Sequence, residues 1–126
     1  LIAVDMERLV RSGSGWRVGW NPEAGEFQGL VGTDDWAIEL TSAELDDFCR
    51  LLAQLAETMQ EMAIELMDEE KITCEADSDL LWMEVSGYAQ EYDLRCIFHT
   101  GRRVECQWSA AAIPGLLQAT RVLKVF

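Results

Sequence analysis

The chain has 126 residues, 49% of them hydrophobic, and a net charge of −13 at pH 7. That length supplies one domain with a sizeable core rather than two, so residues 1–126 read as a single domain, and charged residues interrupt every apolar run well short of the ~20 residues that a membrane span requires. Sixteen acids face only Arg50 and Lys71 between residues 34 and 84, a field that repels phosphate backbones and disfavours nucleic acid as a partner.

At the start, Leu1 to Val4 are apolar but closed by Asp5. They lack the basic region and long apolar core of a signal peptide, so the expected location is the cytoplasm. Met6, Leu9 and Val10 fall at helical spacing and predict a turn or two of helix, or an ordered arm, through Arg11. Ser12-Gly-Ser-Gly15 breaks it; no strand precedes this run and no Lys follows, so it is a turn and not a phosphate cradle. Trp16-Arg-Val-Gly-Trp20 alternates, with Trp16, Val18 and Trp20 on one face, and predicts a strand. A turn over Asn21-Pro22 to Gly25-Glu26 leads to extended structure from Phe27 to Gly32, the polar turn Thr33-Asp-Asp35 and a third strand, Trp36 to Leu40.

From Leu40 to Glu70 the period changes to that of a helix. Leu45, Phe48, Leu52, Leu55, Met59, Met62 and Leu66 follow one another in steps of three and four. Thr41-Ser-Ala-Glu44 is a capping box, with Leu40 and Leu45 placed as its hydrophobic staple. The acidic run Asp68-Glu-Glu70 opposes the helix dipole, so the helix is expected to yield before Lys71.

The second half repeats this plan. Short strand Ile72 to Glu75, turn Asp77-Ser-Asp79, and a strand from Leu80 towards Tyr88 are followed by alternation of Tyr92, Leu94, Cys96 and Phe98 against Asp93, Arg95, Ile97 and His99. Thr100-Gly101-Arg102 is a tight hairpin, Arg103 to Trp108 alternates again, and Pro114 stands at the expected first position of a closing helix carrying Leu116, Leu117 and Leu123. Strand runs joined by short turns and closed by a helix, twice over, make the fold class α+β: antiparallel sheet, one long central helix and a shorter C-terminal helix.

Cys49, Cys74, Cys96 and Cys106 have no Cys-x-x-Cys spacing and read as buried free thiols, while His99 is the only histidine. We therefore expect no metal site, no cofactor and no catalytic residue. Trp16-Arg-Val-Gly-Trp20-Asn-Pro22 after the Ser-Gly run, the Trp36 strand entering the Thr41 capping box, and Trp108-Ser-Ala-Ala-Ala-Ile-Pro114 resemble the small cyanobacterial and plastid proteins grouped as domain of unknown function 1818. The resemblance implies a fold similar to the Whirly-type single-stranded-DNA-binding regulators, in which a strands-then-helix unit occurs twice. It brings no catalytic residue with it, and the Lys-rich binding motif of the Whirly proteins has no match here.

The expected function is that of a non-catalytic binding or assembly protein. A helix of about thirty residues spans roughly 40 Å and outruns a strand of ~20 Å, so one end overhangs. Met59, Met62, Leu66 and Met67 mark that end as an interface, either for a homodimer or for another protein partner. Arg17, Trp20, Arg102 and Arg103 are the candidate binding surface, and single-stranded nucleic acid is the alternative partner if such arginines and aromatic residues gather on one exposed sheet face. A small-molecule site or an enzyme is the remaining alternative, with a Trp-lined pocket as its place.

Overall fold

A computed structural model describes residues 9–65, 70–101 and 103–123. Its first half runs β1 (Leu9–Gly13), β2 (Trp16–Trp20), β3 (Gly29–Gly32), β4 (Ala37–Leu40) and α1 (Ser42–Glu65); its second runs β5 (Ile72–Asp77), β6 (Leu81–Tyr88), β7 (Glu91–Phe98), β8 (Val104–Trp108), a 3-10 turn (Ala110–Ala112) and α2 (Ile113–Val122). Each set of four strands forms its own antiparallel meander, ordered β1-β2-β3-β4 and β5-β6-β7-β8. The α+β class and the twofold strands-then-helix plan hold, with two sheets.

The helical turn expected over Met6 to Arg11 is corrected for its described part, because Leu9 to Gly13 is a strand. Leu9 pairs with Trp20 and Gly13 with Trp16, so the backbone groups of β1 are satisfied across a hairpin, and that pairing outweighs the local spacing of Leu9 and Val10. Only Ser14 and Gly15 of the small-residue run make the turn. Gly15 has φ +86°, and its N–H donates to Asp34 Oδ1 at 3.2 Å, which ties the hairpin to the β3–β4 turn. That second turn is closed by Thr33 N–H donating to Trp36 O at 2.8 Å. Between β2 and β3 the Gln28 amide donates to the carbonyls of Pro22 and Ala24, which keeps the loop folded on itself.

The capping box predicted at Thr41 is formed in full. Thr41 Oγ1 accepts from Glu44 N–H at 3.1 Å while Glu44 Oε1 accepts from Thr41 N–H at 2.8 Å. The other carboxylate oxygen of Glu44 accepts from the Thr100 hydroxyl, so one buried acid joins the start of α1 to the β7–β8 turn. Leu45, Phe48, Leu52, Leu55 and Met59 form the buried stripe. At Glu70 the chain is no longer helical; Leu66, Met67, Asp68 and Glu69 lie outside the described residues.

Both helices serve both sheets: α1 packs on β3 and β4 of the first and β5 and β6 of the second, and α2 packs on β1 and β2 as well as β7. One buried cluster results, reaching from Val18 and Val31 through Phe48 to Phe98, Trp108 and Leu116. Trp108 is its joint. Its indole lies 5.5 Å from the Phe48 ring and 5.4 Å from Trp36, and its N–H crosses between the sheets to donate to Gly32 O at 2.8 Å.

Candidate functional site

Among the described residues, exposed large apolar side chains occur at two places, Val10 and Phe27 beside a cleft on the first sheet and Ile64, Tyr88 and Val122 on the elements around a second cleft, between α1, the β6–β7 hairpin and α2. On α1 the row Ala56, Gln60, Ile64 repeats every four residues and so shares one face. Ala56 is buried, Gln60 is exposed, and Ile64 is 85% exposed, an expensive place for an isoleucine. The β6–β7 hairpin turns beside this row. Tyr88 pairs with Glu91 across the two-residue turn Ala89-Gln90, and the Tyr88 ring is 44% exposed. Gly87, at φ +148°, admits no side chain there, since a Cβ would come 2.6 Å from Glu91 O.

The third wall is α2. Asp93 Oδ1 on β7 accepts from Ala110 N–H at 2.9 Å, which fixes the 3-10 turn and hence the start of α2 against the hairpin. Ile113 and Pro114 in the first turn, then Leu117 and Arg121 one and two turns on, face the gap. Pro114 stands one place later than expected, at the second helical position.

These three walls enclose an open cleft of about 280 Å³. Ala56, Ile113, Pro114 and Leu117 are apolar residues of its lining, and Gln60, Gln90, Tyr92 and Arg121 are the polar ones. Burial pushes the Tyr92 phenol above its ordinary value, and the positive charge of Arg121 opposes part of that rise. The phenol is therefore a protonated donor at physiological pH. Arg121 has no carboxylate within ion-pair distance among the described residues, whereas Arg50 pairs with Asp47 and Arg95 with Glu84 and Glu105.

The residues expected to act from the sequence are distributed otherwise. Met59 is fully buried in the chain's own core. Met62 is half-buried, with the Cys74 thiol 3.8 Å from its sulfur; Leu66 and Met67 lie outside the described residues. It is Ile64, two residues on from Met62, that the helix end offers to solvent. Arg17 and Trp20 project from opposite faces of β2, and the Arg17 Nε–H donates to Thr33 O at 2.7 Å. Arg103 is exposed in the β7–β8 turn of the other sheet with φ +57°, and Arg102 lies outside the described residues. The structure thus brings none of the described members of that surface together.

Nor, among the described residues, does the solvent side of the second sheet gather several arginines with aromatic rings. On the solvent side of the second sheet, Arg95 lies 5.2 Å over the Trp82 ring, but Glu75, Asp77, Glu84, Asp93 and Glu105 share that side. Among the described residues no group of three or more His, Cys, Asp or Glu side chains is placed to hold a metal ion, and no helix is long and apolar enough to cross a membrane.

No curated protein sequence matches this chain. Among solved structures, it is similar to a protein of unknown function from the DUF155 family of Prochlorococcus sp. NATL2A, with 25% sequence identity, a TM-score of 0.87, and coverage of 92% of this chain and 98% of that one. The sequence matches the domain of unknown function DUF1818 over residues 11–123, nearly the whole of the two-sheet unit, and the chain belongs to that family.

Proposed function

We propose that the protein is a non-catalytic interaction module that docks a partner protein at the pole formed by the end of α1, the β6–β7 hairpin and α2. The observation that carries this reading is the open cleft walled by three elements, in which Ile113, Pro114 and Leu117 stand beside Gln60, Gln90, Tyr92 and Arg121, with Ile64, 85% exposed, one turn beyond Gln60 on the same row of α1. A partly apolar concavity with an exposed isoleucine beside it is a surface that a partner would cover. A second copy is a poorer occupant than a different protein, because each copy of a −13 chain brings the same acidic helix end to the contact.

The test is affinity capture from a cyanobacterial lysate, with nuclease, comparing the native protein with Ile64→Asp and Pro114→Asp. A stoichiometric protein retained by the first and lost from both variants is the expected result. Retention by the variants moves the interface elsewhere and overturns the reading. The Whirly-like alternative rests on the Arg95–Trp82 pair and is opposed by the five carboxylates around it; a nuclease-sensitive capture lost on Arg95→Ala would favour it.

A further inference from the structure

We infer that the partner's segment seated in this cleft is extended and carries one acidic side chain, received by Arg121 and Tyr92, two residues away from an apolar side chain that packs on α2. The inference rests on the interaction reading and adds the chemistry of what is docked. Charge is the first ground. Among the described residues Arg121 is the one charged member of the lining, and no carboxylate lies within ion-pair distance of it. A guanidinium offers five N–H donors in a planar fork, and a carboxylate accepts two of them side by side.

Tyr92 is the second ground. The charge of Arg121 is felt at the Tyr92 phenol, so the two donors serve the same part of the cleft, and the phenol keeps its proton at physiological pH. Gln60 and Gln90 bring amides that both donate and accept, which suits the backbone of a segment and prefers neither sign of charge.

Spacing is the third. Ile113, Leu117 and Arg121 recur every four residues on α2 and form one row, apolar at two positions and cationic at the next. Leu117 and Arg121 are about 6 Å apart along the helix axis at ~1.5 Å per residue. In an extended segment, side chains two residues apart share a side and are separated by roughly 6.6 Å. An apolar residue against Ile113, Pro114 and Leu117 therefore brings the residue two positions away to Arg121. At about 280 Å³ the open cleft falls just below the ~300–1,000 Å³ of sites that enclose a drug-sized ligand, and it suits two side chains with the backbone between them. The chain's charge of −13 opposes a partner surface rich in carboxylates, so the segment carries a single acid, paired at contact distance with a single guanidinium.

The probes are short fluorescein-labelled peptides with a central leucine among serine and alanine, and with Glu, Gln or Lys at one, two, three or four positions from it on either side. Each is titrated with the full chain by fluorescence polarisation. We expect the tightest binding with Glu two positions from the leucine, and about tenfold or more weaker binding with Gln in its place. Arg121→Gln, at an exposed position, should remove this difference, so that the Glu and Gln peptides bind alike, and Arg121→Glu should favour the Lys peptide. Tyr92→Phe keeps the ring and should narrow the difference. Arg121→Lys, which keeps the charge without the fork, should retain a reduced preference and carries the comparison should Arg121→Gln melt early.

Peptides that bind without regard to the acid, that prefer Lys or another spacing, or that fail to bind at all would each overturn the proposal, as would a preference for the acid that survives Arg121→Gln. Binding of 4-phenylbutyrate that needs Arg121, with no peptide bound, would overturn it in favour of a free organic acid. A concentration-dependent dimer lost on Arg121→Gln would do so in favour of a second copy. If Ile64→Asp and Pro114→Asp release a captured protein while the peptides ignore the acid, the interaction reading stands and only the partner chemistry falls; if both variants retain the captured protein, both fall.

Discussion

Cys96 and Cys106 stand opposite each other across β7 and β8, both buried and both free. Burial pushes each thiol up, with the other thiol adding to the rise at Cys96 and Glu105 adding to it at Cys106, which is carried from 9.0 to about 12. Neither is a thiolate near neutral pH, and the thiolate is the reactive form. In native buffer a disulfide reagent should leave both unmodified and should reach them only after denaturant is added, which peptide mapping would show. A pH dependence follows from the same shift. The folded chain keeps the Cys106 proton up to about pH 12 while the unfolded chain releases it near 9.0, so the unfolded state binds fewer protons between these values and stability falls as pH rises. It is complete below about pH 9. Cys106→Ala should lower stability at every pH through the lost packing, yet flatten the decline above pH 9 in urea titrations; an unchanged slope would remove Cys106 from the account. Trp108 offers the sharper test of the core. Trp108→Phe removes the indole hydrogen bond to Gly32 O, at a cost of about 1 kcal/mol, and opens space beside Phe48 and Trp36.

For the elements, the start of α1 shows how one residue can serve two neighbours. Thr41→Ala removes one capping hydrogen bond and should cost about 1 kcal/mol, a fall of several degrees in melting temperature for a chain of this length. Glu44→Ala should cost more, because it removes the reciprocal cap and the tie to Thr100 together. A double-mutant cycle with Thr100→Val separates these parts, and a coupling near zero would show that the Thr100 contact adds nothing. This helix was legible because its determinants are local: a capping box spans four residues, and a stripe with steps of three and four identifies a buried face without reference to its partner. Met59, expected at an interface, is in the chain's own core, for the complementary reason. Periodicity identifies the apolar face of a helix but not what lies on it, and at Met59 the rest of the chain lies on it. The first strand was missed because Leu9 to Gly13 takes its conformation from pairing with Trp16–Trp20, which spacing within the segment does not report. The cleft had no sequence signal at all. Gln60, Gln90, Tyr92 and Arg121 come from α1, a hairpin and α2, and Tyr92 was in phase with the core residues Leu94 and Cys96.

Across the whole molecule, the repeat of strands and helix suggests two halves that could exist apart, but the packing denies it. α1 follows the first sheet in sequence yet also covers β5 and β6 of the second, and α2 follows the second sheet yet covers β1 and β2 of the first. Each half would therefore expose the apolar faces that the other half's helix now buries. The Trp16 indole shows this in detail. It is seated between Gly13 on β1 and Gly115 on α2, and a Cβ at either glycine would strike it, so the closing helix of the second unit completes the core of the first. Gly115→Ala should accordingly destabilise the protein even though alanine is the better helix former. The larger consequence is cooperativity: far-ultraviolet circular dichroism, which follows both sheets, and tryptophan fluorescence, which follows the joint at Trp108, should change at one urea concentration. Expressed separately, residues 1–70 and 71–126 should each give the narrow amide dispersion of an unfolded chain, because about half of each would-be core is missing. Mixed in equal amounts, they should recover the native spectrum. A half that folded alone would show that the two sheets are joined only by contact, and it would leave the cleft, whose walls come from both halves, as an interface between separable units.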